Sequence, residues 1–116
     1  MSLELSCRKV GDVAVVDLTG RITLGEEASK FREAIRVLVA QGERKLLLNL
    51  AQVSYLDSSG LGELVSAYTT LRSQGGELKL LHLGRRIRDI LQITKLCTVF
   101  EVYEDEAEAV RSFYTR

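Results

Sequence analysis

Short apolar runs alternate with helical patterns along the chain. Two strand-like runs, residues 3 to 10 (LELSCRKV) and 13 to 19 (VAVVDLT), flank Gly11 and Asp12. Because this pair supplies the permissive backbone of a tight turn, the pattern predicts an antiparallel hairpin. Further strands are predicted at residues 45 to 50 (KLLLNL), with 53 to 56 prolonging or flanking that strand, at 77 to 83 and at 98 to 103.

Four helices are predicted between and after these strands. Thr23 and Glu26 have the spacing of a capping box, which starts a first helix that ends near Gly42. Past Asp57, apolar residues recur at i, i+3, i+4, i+7 and i+10, which is one stripe of a second helix that a Gly-Gly pair ends. The last two helices are predicted at residues 85 to about 93 and after Asp105, which caps the final one.

The predicted order of elements is β-β-α-β-α-β-α-β-α. After the hairpin, helices and strands alternate, which favours crossover connections onto a sheet that is mostly parallel. The 116 residues, 46% of them hydrophobic, suit one domain with a single core. We therefore expect one α/β domain over residues 1 to 116 with a mixed, mostly parallel sheet.

The composition argues against several classes of partner. Sixteen Lys and Arg residues balance sixteen Asp and Glu residues, so the chain has no broad basic field for a nucleic acid or an anionic membrane. The two cysteines lack metal or redox spacing, and no apolar run approaches the length of a membrane span or a signal peptide. We expect a monomer in the cytoplasm, bound to neither nucleic acid nor membrane.

Catalytic motifs are missing from the sequence. No GxxxxGK[ST] loop occurs, and His82, the single histidine, has no GxSxG serine to serve. Asp17, Asp57 and Glu63 do not have the spacing of an oxygen-ligand loop for a metal ion. The sequence therefore predicts no catalytic residue, no metal, no cofactor and no enzymatic activity.

The stretch SYLDSSGLG, residues 54 to 62, carries the remaining chemistry. Ser58 lies at a strand-to-helix junction, where a phosphate would meet the amides and the positive dipole end of a helix. Asp57 and the serines also suit a plain helix cap, which stabilises a helix by about 1 kcal/mol. The residues alone leave both interpretations open.

The sequence DSSGLG at residues 57 to 62, with KLLLNL ahead of it and LTGRI earlier, resembles the anti-sigma factor antagonists of the STAS domain family. The resemblance extends from the hairpin to the final helix. It implies a STAS-like fold and a partner-switching regulator of bacterial transcription.

In that family, the unphosphorylated antagonist binds an anti-sigma factor that is also a serine kinase, and so frees a sigma factor. The kinase phosphorylates the first serine of the DSSG element, and a PP2C-type phosphatase reverses the reaction. By position, the resemblance implies that Ser58 is the phosphoacceptor. The partner-binding residues that it implies, together with the neighbouring LTGRI segment, are Asp57, Ser58, Ser59, Gly60, Leu61, Gly62, Arg21 and Thr23.

Other functions also fit the sequence. One is a STAS subunit of a stress-signalling scaffold or a lipid transporter, which binds its partner constitutively. Another is a small-ligand module that receives a nucleotide phosphate or a lipid head group at residues 58 to 62. After LTGRI the chain reads TLGEEASKF, without the histidine or aspartate residues often found there in sporulation-type antagonists. The identity of the kinase is therefore not carried over.

Overall fold

The computed structural model describes residues 2 to 114, and over these it confirms the predicted order of elements. A short 3-10 helix, Leu96–Thr98, is the one addition to that order. The strands and helices are β1 (Leu3–Val10), β2 (Val13–Ile22), α1 (Glu26–Ala40), β3 (Lys45–Leu56), α2 (Ser58–Ser73), β4 (Glu77–Leu81), α3 (Arg85–Ile93), β5 (Val102–Tyr103) and α4 (Glu106–Ser112).

The five strands form one mixed sheet in the order β1-β2-β3-β4-β5. β1 and β2 are antiparallel and are joined by a turn in which Gly11 has a φ of 61°, while the remaining neighbours pair in parallel. The predicted hairpin and the mostly parallel sheet are both confirmed. Because β2, β3 and β4 run in the same direction, their carboxyl ends meet at one edge of the sheet.

Apolar side chains cover both faces of the sheet. α1, α2 and α3 contribute Phe31, Leu64 and Ile87 to the larger core on one face. α4 covers the other face, where Ala109 and Phe113 pack against β-strand residues. The larger core is built chiefly from the strands and these three helices, so the start of α2 is positioned by the main packing unit of the domain.

β3 is longer than its neighbour β4, and residues 53 to 56 prolong it. It pairs with β4 only as far as Asn49, whereas its pairing with β2 continues to Leu56, opposite Ile22. Both of these last residues are buried in the larger core. The ends of β2 and β3 therefore project together beyond β4 and hold the junction with α2.

Two predicted strands are shorter in the structure. The strand predicted at 77 to 83 ends at Leu81, because His82 adopts a left-handed backbone with a φ of 58°. The strand predicted at 98 to 103 keeps only Val102–Tyr103. The chain before it turns through the 3-10 helix, which buries the Phe100 ring edge-on against Tyr68, with ring centroids 5.3 Å apart. Burial of this ring outweighs the strand preference of the sequence.

The predicted capping box of α1 is wrong. Gly25, with a φ of 101°, is the N-cap, and the helix begins at Glu26. The hydroxyl of Thr23 donates instead to a carboxylate oxygen of Glu27 at 3.1 Å. The turn after β2 requires a left-handed residue, so the helix starts after the glycine and Thr23 lies two residues too early to cap it.

No helix in the described part of the chain is both long enough and apolar enough to cross a membrane.

Candidate functional site

Asp57 joins the projecting strand ends to α2. Its backbone is extended, as a helix N-cap requires, and its carboxylate accepts hydrogen bonds from the amides of Gly60 and Leu24, each at 2.9 Å. The Asp57 amide donates to the carbonyl of Ile22 at 3.4 Å. One residue thus ties the start of α2 to the end of β2 and to the turn that follows it.

The charge of Asp57 is stabilised by this arrangement. The Gly60 amide, and then the Leu24 amide, hold the pKa of the Asp57 carboxyl below its usual range. Hydrogen bonds from amides favour the ionised form of a carboxylate. The corner therefore already carries a fixed negative charge next to the two serines.

Gly60 is required by a close approach between two elements. A Cβ at this position would overlap the carbonyl oxygen of Ile22 and would lie 2.9 Å from its carbonyl carbon. The backbone of α2 therefore passes directly against the end of β2, where only glycine fits. The φ of Gly60 is not positive, so glycine is needed here for space and not for a left-handed backbone.

The two serines of the motif occupy the first turn of α2. Ser58 is exposed and Ser59 is partly buried. The first turn of α2 contains no acidic side chain, so its positive dipole end is compensated only by the Asp57 cap. Ser58 therefore presents a hydroxyl to solvent at a helix end that tolerates an added anion.

Leu61 and Gly62 complete the motif in different environments. Leu61 is partly buried and packs against the larger core. Gly62 is exposed, and a Cβ built there has nothing within 4 Å. The fold thus gives no steric reason for glycine at position 62, although glycine inside a helix costs about 0.5–1 kcal/mol relative to alanine.

Arg21 and Thr23 lie near the motif, as the sequence predicted. Arg21 is paired across the sheet with Tyr55, three residues before Ser58. Thr23 precedes Leu24, whose amide binds Asp57. Among the described residues, the buried Nε of Arg21 has no hydrogen-bond partner.

The structure adds exposed residues that sequence reasoning missed. Leu24 is 76% exposed beside the Asp57 carboxylate, and Tyr55 is 37% exposed at the end of β3. The guanidinium of Arg86, at the start of α3, lies 5.9 Å from the centroid of the Tyr55 ring. An apolar residue such as Leu24 is unusual in an exposed turn, and this feature of the sequence could have indicated a contact residue. The contact between Arg86 and Tyr55 could not be predicted, because it depends on how α3 packs.

His82 lies in the loop after β4, with Nδ1 4.0 Å from a carboxylate oxygen of Glu104. Its surroundings are those of a surface histidine near an acidic residue. Among residues 2 to 114, no group of three or more His, Cys, Asp or Glu side chains is arranged to hold a metal ion.

Comparison with known proteins identifies the family. The model of the STAS domain matches residues 4 to 109. The chain belongs to the STAS domain family. The anti-sigma-B factor antagonist of Listeria monocytogenes is 37% identical over 81 residues, which cover 70% of this chain and 71% of the relative. That of Bacillus subtilis is 31% identical over 102 residues, which cover 88% and 92%.

Solved structures agree with this placement at the level of the fold. The unphosphorylated form of the anti-sigma factor antagonist SpoIIAA superposes with a TM-score of 0.72 at 20% identity, covering 97% of this STAS chain and 100% of SpoIIAA. The phosphorylated Bacillus SpoIIAA gives a TM-score of 0.73 at 22% identity, covering 94% and 98%. The resemblance and the fold predicted from the sequence are confirmed. Antagonists of this family are regulatory proteins without enzymatic activity, which confirms the prediction that this chain is not an enzyme.

Proposed function

We propose that this STAS domain acts as an anti-sigma factor antagonist that binds an anti-sigma factor serine kinase and is released when that kinase phosphorylates Ser58. The observation that carries the proposal is the exposed Ser58 hydroxyl at the start of α2, beside a carboxylate that is fixed by two backbone amides. Relatives that are 37% and 31% identical are anti-sigma-B factor antagonists, which supports the same role here.

The proposed reaction needs no catalytic group from this chain. The Ser58 oxygen forms a bond to the γ-phosphorus of ATP, the bond from that phosphorus to ADP breaks, and the hydroxyl proton passes to a base of the kinase. The product carries about −1.5 to −2 charges. The amides and dipole of the α2 start offset that charge within the fold, so the domain accepts the phosphate without unfolding.

The same phosphate is unfavourable in a complex. It lies next to the ionised Asp57, and docking a partner against this corner would require removing both charges from water. A loss of about 2.7 kcal/mol in binding free energy lowers affinity a hundredfold. Release of the partner therefore needs only a local electrostatic change and no rearrangement of the core.

The proposed docking surface consists of the motif and the end of β2. In it, Asp57 and Gly60 hold the backbone in place, and Ser58 and Gly62 face outward. Leu61, Ser59, Arg21 and Thr23 border these residues in the structure. We further propose that a PP2C-type phosphatase restores Ser58 and that the cycle operates in the cytoplasm.

Intact-mass measurement after incubation with ATP and an anti-sigma factor kinase of the same genome tests this function. We expect one phosphate, located on Ser58 by peptide mapping, and loss of the complex. Ser58→Ala should accept no phosphate and remain bound, whereas the matched Ser59→Ala should be phosphorylated like the wild type. Stable binding without any phosphate would favour a constitutive subunit instead.

A further inference from the structure

Three arginines at the end of β2 and the start of α3 have no carboxylate partner in the described part of the chain. Within residues 2 to 114, no carboxylate lies within 4.0 Å of the guanidinium nitrogens of Arg21, Arg85 or Arg86. Ion pairs with Asp or Glu are formed instead by Arg8, Arg32, Arg36 and Arg88. Among residues 2 to 114, Arg44, Arg72 and Arg111 also lack a carboxylate partner, but Arg44 donates to backbone carbonyls and Arg72 to the Tyr68 hydroxyl.

These arginines and Tyr55 form one surface, here called the basic edge and defined as Arg21, Tyr55, Arg85 and Arg86. Arg21 pairs with Tyr55 across β2 and β3. The Arg86 guanidinium lies 5.9 Å from the Tyr55 ring centroid, within the range of a cation–π contact. Arg85 and Arg86 are exposed at the first two positions of α3. The basic edge therefore crosses from β2 over β3 to α3.

The placement of Arg85 and Arg86 does not serve the stability of α3. The N-cap of this helix, Gly84, provides no side-chain hydrogen bond, and the first turn contains no acidic residue. Cations at a helix amino terminus oppose the helix dipole. The contact of Arg86 with the Tyr55 ring is the one stabilising contact described for these two charges, and both guanidinium groups remain exposed, which points to a role in recognition.

We propose that the basic edge docks an acidic segment of a partner protein; that this partner is the anti-sigma factor kinase rests on the proposed function. Arginine planes suit carboxylates, and the partly exposed Tyr55 ring adds apolar contact area at the centre of the surface. A nucleic acid fits less well, because the net charge of the chain is +0 and three arginines contact few phosphates.

Ser58 follows Tyr55 of the basic edge by three residues of chain. Three residues of extended chain span at most about 11 Å, so the Cα atoms of Ser58 and Tyr55 lie less than about one and a half Debye lengths apart at physiological salt. A phosphate on Ser58 therefore repels an acidic segment on the basic edge and competes with it for the arginines. This provides a specific route by which phosphorylation expels the partner.

Titration of the ¹⁵N-labelled full chain with an octaglutamate peptide tests the basic edge without the kinase. We expect amide shifts confined to the basic edge and its neighbours, abolished by 0.5 M salt (roughly a 4 Å Debye length) and absent in the double variant Arg85→Glu/Arg86→Glu. The matched control Arg111→Glu, on α4, should bind like the wild type. The proposal would be overturned if the wild type showed no amide shifts, or if the double variant showed shifts equal to those of the wild type. Binding of duplex DNA but not of octaglutamate would also overturn it.

A second experiment, which measures binding to the kinase, separates this proposal from the proposed function. The double variant should bind the kinase about tenfold to a hundredfold more weakly, while its melting temperature stays equal to or above that of the wild type. Unchanged kinase affinity, with Ser58→Asp still abolishing the complex, would refute the basic edge and leave the proposed function intact. If the wild type binds octaglutamate but no kinase, the proposed function fails and the acid-binding surface stands.

Discussion

Substituting Gly60 by alanine tests how tightly the start of α2 is held against β2. The added Cβ would lie 2.9 Å from the Ile22 carbonyl carbon and would overlap the carbonyl oxygen. Carbon atoms in contact are normally about 3.5–4.0 Å apart, so the two backbones must separate by roughly 1 Å. The two Ile22 atoms that the added Cβ would meet are backbone atoms of β2, so no flexible side chain can move aside to relieve the overlap.

The cost follows from what this displacement breaks. Overpacking of this kind costs about 1–3 kcal/mol, and the stretched hydrogen bond from the Asp57 amide to Ile22 adds about 1 kcal/mol. The better helix propensity of alanine returns about 0.5–1 kcal/mol. The net destabilisation is about 1–3.5 kcal/mol, which lowers the melting temperature by roughly 4–14 °C in a domain of this size.

Thermal unfolding followed by circular dichroism, with Gly62→Ala as the matched control, measures this effect. Gly62 has open space around its Cβ position, so alanine there should raise the melting temperature by roughly 2–4 °C. If glycine at 62 serves partner docking, the same variant should bind the kinase more weakly although its fold is more stable. A Gly60→Ala protein that melts with the wild type would refute the close approach described for this junction.

Two further predictions concern other parts of the fold. Because amides lower the pKa of Asp57, its contribution to stability should be complete at neutral pH and lost as the pH falls through the folded-state pKa. Asp57→Asn should therefore melt below the wild type at pH 7, with the difference shrinking at about pH 3; a difference that does not depend on pH would contradict this. Lys79 is buried, and its ammonium donates to the Ser112 carbonyl at 3.0 Å and hydroxyl at 2.9 Å, so Lys79→Ala should lose about 1.5–3 kcal/mol. Chemical denaturation measures that loss, and an unchanged midpoint would show that these bonds contribute nothing.

The long apolar patterns predicted the architecture well, because each pattern corresponds to a strand or helix that buries a large apolar surface. The run at residues 45 to 50 and the stripe after Asp57 both correspond to elements whose burial is shared by many contacts. The strand predicted at 98 to 103 was mostly wrong, since a single buried ring, Phe100, decided the backbone there. The packing of Phe100 against a residue distant in the sequence cannot be predicted from a local pattern of residues.

The candidate site was predicted in part, for a similar reason. The motif and its cap are local in sequence, and the structure places Asp57 as the cap of α2. The tie from Asp57 to Leu24 and the steric need for Gly60 arise only when β2 lies beside the start of α2. Arg85 and Arg86 are neighbours in the sequence, but the contact of Arg86 with Tyr55 depends on the packing of α3.

The affinity of the phosphorylated and unphosphorylated chain for the same anti-sigma factor kinase, measured by calorimetry with a non-hydrolysable ATP analogue, tests the central claim most directly. We expect phosphorylation of Ser58 to weaken binding by at least about a hundredfold, which corresponds to 2.7 kcal/mol, and Ser58→Ala to bind like the unphosphorylated wild type. Equal affinity of the two forms would contradict the phosphorylation switch at this corner of the STAS domain.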